Sequence, residues 1–279
     1  MDWPLQTFNW TRGGDSGGEC GVPYSRHFTN PTTAQCVRSR AGTTRSVGQL
    51  RCQHQPGEPA ASANWWSINL HSLHLVMLSS EEDWTVGSPQ HVWLADDLAA
   101  VNRSETPFVV LATHRPFYTS GYGWLNKVPY NVAFLAAHRA AIEPLLQAYS
   151  VDLVIVGHVH KYERTCPMVG GGLCAKRTAR SDQQPEHGTV HMVVGAAGEP
   201  FQTGCDGCSE WEHVAVTEGP AAQRRAGGSA RQFAAPSWSR FRTTEFGWGL
   251  LTVHNSSALE VEYVASKDSV VHDSVWIVK

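Results

Sequence analysis

The 279-residue sequence contains no apolar run approaching the ~18 residues of a membrane-spanning helix, which excludes a helical membrane span as its organising element. It has little net charge, −3 with both signs mixed, so composition supplies no electrostatic attraction to nucleic acid or to an anionic membrane surface. Met1 is not followed by the basic and apolar regions of a signal peptide. No internal repeat is evident. Up to about residue 64 there is no sustained hydrophobic period either, only Gly, Ser, Thr, Pro and Arg, which reads as loop. Asp15-Ser-Gly-Gly18 resembles the nucleophile segment of trypsin-like proteases. However, Ser16 stands too near the start, Glu19 replaces the proline of that segment, and no strand pattern precedes it.

Cysteine is not scarce. Seven are present, at 20, 36, 52, 166, 174, 205 and 208, more than a cytosolic enzyme of this size needs. Cys166 and Cys174 bracket Gly170-Gly-Gly172 and could close a small disulfide loop. Cys205-Asp-Gly-Cys208 has the inner spacing of a zinc knuckle, but no second Cys or His pair stands at matching distance, so a disulfide or loop cysteines are the better reading. Asn9, Asn102 and Asn255 begin Asn-x-Ser/Thr sequons. Together these features point to the secretory pathway.

The most informative stretch is Val151-Asp-Leu-Val-Ile-Val-Gly-His-Val-His160. Its apolar run reads as a strand buried on both faces, ended by Gly157. The two histidines thus stand just past a strand's carboxyl end, where ligands collect in open α/β sheets. In a near-extended backbone, residues i and i+2 point the same way, so His158 and His160 could address one metal or two adjacent ones. A pair of loop histidines is the plainer alternative.

A second segment of this kind weakens that alternative. Phe108-Val-Val-Leu-Ala112 is another apolar strand, and Thr113-His114-Arg115-Pro116 follows it. From Asn131 to Ser150, Phe134, Leu135, Ile142, Leu145 and Leu146 fall on helical spacing, with a kink or break expected at Pro144. A right-handed β-α-β unit would place His114 on the same edge as His158 and His160. Upstream, Trp65–Asn69 and Leu73–Leu78 read as strands. Ser88-Pro89 opens a helix whose buried stripe is Trp93, Leu94, Leu98 and Val101, and Trp84 and Trp93 read as core. Downstream, 189–195, 249–254, 259–264 and 275–278 read as short antiparallel strands, with His191 and His254 structural and 218–236 a surface insertion. The expected fold is α/β, a β-α-β-α-β core followed by antiparallel carboxyl-terminal strands.

Gly157-His-Val-His-Lys-Tyr-Glu-Arg-Thr-Cys-Pro167, Thr113-His-Arg-Pro-Phe-Tyr118 and Asp15-Ser-Gly-Gly-Glu-Cys-Gly-Val-Pro-Tyr24 resemble the purple acid phosphatases of the calcineurin-like metallophosphoesterase superfamily. Phe246-Gly247 and Asp273 to Trp276 are similar to that family's carboxyl-terminal segment. The resemblance implies a partial metallophosphoesterase β-sandwich flanked by helices, with a catalytic domain over 1–187 and the carboxyl-terminal segment, 188–279, packed on it. It also implies that His114 and His158 bind a divalent metal (Zn, Mn or Fe), and His160 a ferric ion. Two such cations about 3.5–4 Å apart lower the pKa of a bound water and stabilise in-line displacement at a phosphate monoester.

The aspartates, tyrosine, asparagine and phosphate-contacting histidine of the family's earlier motifs have no counterpart here. Asp2-Trp-Pro-Leu-Gln-Thr-Phe8 is similar to the sequence just after the family's Asn-His-Glu motif. The expectation is therefore a carboxyl-terminal portion of a longer enzyme, binding metal weakly and turning over little or no phosphate monoester. A chain without catalysis that acts through partners is the competing expectation. Arg115 and Tyr122 are near enough to His114 to touch substrate, whereas Glu163 and Arg164 are better placed to orient the loop than to react.

Overall fold

The computed structural model describes residues 65–120, 129–175, 187–198 and 236–279, with side chains of the second helix described from Phe134 onward. Asn9, Cys20, Cys36, Cys52, Tyr122, Cys205, Cys208 and residues 218–235 lie outside the described residues.

Seven strands form one sheet in the order β1 (Trp66–Leu70), β2 (Leu73–Met77), β3 (Phe108–Thr113), β4 (Leu153–Val156), β6 (Val190–Val194), β5 (Tyr162–Thr165) and β7 (Ser239–Thr243). The central pairs β2–β3, β3–β4 and β4–β6 are parallel; β1 closes one edge, and β5 and β7 the other, antiparallel. Two helices, α1 (Pro89–Ala99) and α2 (Pro129–Ala148), supply the crossovers from β2 to β3 and from β3 to β4. A second, three-stranded antiparallel sheet follows in the order β10 (Val271–Val278), β9 (Ala258–Ala265), β8 (Gly247–Asn255). Residues 188–279 supply β6 and β7 to the large sheet and all three strands of the small one, which starts at β8.

The apolar runs of β3 and β4 are explained by burial on both faces. Val109, Leu111, Val154 and Val156 point to the helices, where they meet Trp93, Leu94, Ile142 and Leu146. The alternate residues Phe108, Val110 and Leu153 point the other way, onto Leu259, Val261, Val275 and Ile277 of the small sheet. The result is three layers: helices, large sheet, small sheet. Fully burying each such side chain contributes about 1.5–3 kcal/mol.

Ser88 caps α1, its hydroxyl accepting from the His91 amide at 3.3 Å with Pro89 in the first turn, as the sequence leads one to expect. Inside α1, the buried Asp97 carboxylate accepts from Ser67 Oγ (2.6 Å) and pairs with His74 Nε2 (2.9 Å), pinning the helix to β1 and β2. At the end of α2, Arg103 donates to the carbonyls of Tyr149 and Ser150 and to Asp152, which also accepts from the Val109 amide. That clamp lies at the amino-terminal ends of β3 and β4, on the edge opposite the histidines.

Two expectations need correction. α2 runs unbroken through Pro144, because Ile142 and Leu146 on either side are fully buried and hold the backbone helical near its end. Tyr162–Thr165, where no strand was expected, forms strand β5 at the heart of the sheet's antiparallel half.

Candidate metal centre

Parallel pairing of β3 with β4 sets Thr113 opposite Val156, so the two chains leave the sheet side by side. The Gly157 amide donates to the His114 carbonyl at 3.1 Å, which locks the two exits together. His158 then turns back with φ 63°, a left-handed conformation that costs a non-glycine residue energy and is found where function or packing demands it. Consecutive three-residue turns follow, with the Val159 amide on the Gly157 carbonyl (2.7 Å) and the Lys161 amide on the Val159 carbonyl (2.8 Å).

The outcome is a histidine pair: His158 Nδ1 lies 3.0 Å from His114 Nε2, the rings nearly perpendicular with centroids 4.9 Å apart. His160 is half-buried. Among the described residues, however, no three His, Cys, Asp or Glu side chains converge into a metal-holding group. The structure therefore brings His114 and His158 together, with no third ligand in the same group among the described residues. The assumed extended backbone does not exist here; tight turns with a left-handed residue remove the i, i+2 alignment on which the sequence argument relied.

Burial holds both imidazoles in the neutral form that binds metal. It lowers His114, against the opposing charge of Glu81, and, with the Arg115 and His114 charges, brings His158 to about 4. Two imidazole nitrogens bound at about 2.0–2.1 Å to a tetrahedral divalent ion stand roughly 3.3 Å apart. The observed 3.0 Å is close to that spacing, and neutral imidazole suits Zn, so the pair fits half of a divalent site. It does not fit a ferric ion, a hard cation for which oxygen donors are needed.

Arg115 is not an open guanidinium. Nε and Nη2 donate to the two oxygens of Glu81 at 2.6 and 2.8 Å, and the group lies over the Phe134 ring, 4.9 Å from its centroid. Burial pushes the Glu81 carboxyl up, but hydrogen bonds to Arg115 and Ser80 and the Arg115 charge outweigh it and leave it below the ordinary range. Glu81 was not legible as a site residue, since nothing in its local sequence shows that β2's exit lies beside His114.

Two further contributors were missed. Gly195 follows β6, and a Cβ there would sit 2.1 Å from the Val159 carbonyl oxygen, so only glycine lets the sheet close against the histidine loop. Tyr162 and Arg164 on β5 both bond Asp273 of β10, at 2.8 Å from the phenol and 2.6 and 2.8 Å from the guanidinium. Tyr162 also stacks on Tyr263, with centroids 4.0 Å apart. The small sheet thereby fixes the strand that carries the histidine loop. The structure also closes Cys166–Cys174 as a disulfide, with Cα atoms 5.7 Å apart. Its loop reaches the segment after His114 through Tyr118, whose hydroxyl donates to Glu143 and accepts from the Gly172 amide.

Comparisons with known proteins agree with this architecture. Residues 41–162 match the family described as calcineurin-like phosphoesterase, and residues 213–274 match iron/zinc purple acid phosphatase-like protein C. "Probable inactive purple acid phosphatase 9" of Arabidopsis thaliana is 33% identical over 99% of this chain and 36% of its own length. "Purple acid phosphatase 1" of Ipomoea batatas is 30% identical over 80% of this chain and 41% of its own length. The structure of a purple acid phosphatase from yellow lupin (Lupinus luteus) seeds superposes with a TM-score of 0.60 at 26% identity, covering 95% of this chain and 36% of that one. The chain thus spans well under half the length of these relatives. Its sheet order, the histidine pair at the carboxyl ends of β3 and β4 and these matches together place it among the calcineurin-like metallophosphoesterases, as a member of the purple acid phosphatase family.

Proposed function

We propose that this chain supplies part of a two-metal phosphohydrolase centre acting on phosphate monoesters. His114 and His158 would hold the divalent ion (Zn, Mn or Fe), and His160 would face the second, ferric position. The observation that carries the reading is the 3.0 Å approach of His158 Nδ1 to His114 Nε2 at the exits of two parallel strands. Bound there, a divalent ion would supply Lewis acidity toward a phosphate oxygen.

This chain's own residues do the positioning. Gly157 and the left-handed His158 aim one imidazole, and the β3 exit aims the other. Arg115 stands next to His114 as the phosphate-pairing group, although an incoming phosphate must first compete with Glu81 for the guanidinium. Tyr122 follows in the same segment as a second substrate contact.

Two imidazoles without a carboxylate hold metal weakly, so the 279-residue chain by itself has little or no turnover. A non-catalytic role through partner contacts is the second reading. It is favoured by the lack of a three-ligand group among the described residues and by a relative whose name includes "inactive". Zinc titration of the purified chain decides between them: binding lost in His158→Ala supports the impaired-site reading and no binding the second, whereas rapid turnover of para-nitrophenyl phosphate abolished by His158→Ala contradicts both. The Cys166–Cys174 disulfide and the exposed sequon residues Asn102 and Asn255 support a secreted or vacuolar location. Among the described residues no helix is long and apolar enough to cross a membrane.

A further inference from the structure

On β5, one buried carboxylate gathers donors from three separate segments. Glu163 Oε2 accepts from Thr119 Oγ1 at 3.0 Å and the Ser120 amide at 2.8 Å, and lies 2.7 Å from Lys161 Nζ. Its Oε1 accepts from Ser239 Oγ at 2.5 Å. The Glu163 side chain is 1% exposed. Thr119 and Ser120 belong to the segment leaving His114, Lys161 ends the loop that carries His158, and Ser239 begins β7. Ser120 Oγ also receives Lys161 Nζ at 3.3 Å and Arg242 Nη1 at 3.2 Å.

A buried charge pair is weak evidence for stability, since desolvation offsets most of the attraction. What this one supplies is geometry. Four donors saturate a single carboxylate, and two of the three segments it joins are those that end in the paired imidazoles. We propose that Glu163 is a positioning residue that sets the separation and orientation of His114 and His158, through Thr119–Ser120 on one side and Lys161 on the other. This rests on the reading that the pair holds a divalent metal. Glutamine at 163 keeps the shape but turns one acceptor into a donor facing groups that are themselves donors, so the two loops lose their common anchor.

The test uses the full chain and cobalt(II), followed by calorimetric titration and visible absorption. Glu163→Gln is expected to weaken cobalt binding about tenfold or more, the usual cost of losing an outer support of a metal ligand, and to alter the absorption spectrum. Ser239→Ala, which removes one donor of four, is expected to give a smaller loss in the same direction and decides the matter if Glu163→Gln does not fold. Arg103→Met, which breaks the clamp on the opposite sheet edge, serves as a destabilised control and is expected to bind cobalt like the parent. Parent-like affinity and spectrum in Glu163→Gln, or in a Ser239→Ala chain standing in for it, overturn the proposal.

Failure of the parent itself to bind cobalt contradicts the metal reading instead. The proposal is then read from nitrogen-15 resonances of the two imidazoles. A His114–His158 hydrogen bond kept in Arg103→Met but lost in Glu163→Gln supports positioning, and one kept in both overturns it.

Discussion

Replacing His138 with phenylalanine is expected to make the chain less sensitive to mild acid. His138 lies on α2, fully buried among Trp84, Phe117 and Phe134, with ring centroids 4.8, 4.5 and 5.5 Å away, and neither of its ring nitrogens has a hydrogen-bond partner. Burial, and secondarily the Arg115 charge, against the opposing charge of Glu81, lowers its pKa to about 3. An unfolded histidine titrates near 6.5, so below that pH the unfolded chain takes up a proton that the folded chain refuses. Stability therefore falls as pH drops from 6.5 toward 3, by about 1.4 kcal/mol per pH unit, or about 2 kcal/mol by pH 5. His191, buried against Phe117 and Tyr118 and likewise lowered to about 3, first by burial and then by the Arg139 charge, adds a similar amount. The combined loss of about 4 kcal/mol is a large share of the 5–15 kcal/mol that holds a typical domain together. Glu163, which burial raises but Lys161 and its hydrogen bonds hold at about 2, contributes above 4.5 and loses that contribution only as pH falls below 4.5, so it adds nothing to the change between pH 7 and pH 5. Urea denaturation at pH 7 and pH 5 measures the slope, which is the readout because overpacking by the larger ring shifts both pH values alike. His138→Phe should remove about 2 kcal/mol of the difference between the two pH values, leaving the share of the other lowered histidines; an unchanged difference refutes the assignment of acid sensitivity to buried neutral histidine.

Asp273→Ala leaves Tyr162 and the buried face of Arg164 without their acceptor, and thermal denaturation should show a loss of about 3 kcal/mol. Gly195→Ala places a methyl 2.1 Å from the Val159 carbonyl, so zinc affinity should fall while far-ultraviolet circular dichroism stays that of the parent. Cys166→Ser opens a loop of 8 residues' separation, for which chain entropy gives about 2.5 kcal/mol, measurable by comparing oxidised and reduced melting with the variant.

The histidine edge was legible because β3 and β4 are apolar on both faces, and such runs announce parallel strands and therefore a shared carboxyl rim. The Ser88-Pro89 helix start was legible because capping is local. β5 was not, since Tyr-Glu-Arg-Thr carries charges that only distant partners make tolerable: Asp273 stands 109 residues from Arg164, and Ser239 and Thr119 stand 76 and 44 from Glu163. β7, Ser239–Thr243, failed for the same reason, its arginines reading as surface. The turn at His158 escaped because an L-residue in the left-handed region has no composition signal, and it removes the shared direction of His158 and His160 that an extended backbone would give. Glu81 escaped for want of any marker except its spatial neighbours.

X-ray absorption at the zinc edge of the zinc-loaded 279-residue chain addresses the metal pair most directly. Two imidazole nitrogens at about 2.0–2.1 Å, reduced to one in His114→Ala and in His158→Ala, are the expected result. Zinc whose coordination is the same in both variants as in the parent would contradict it.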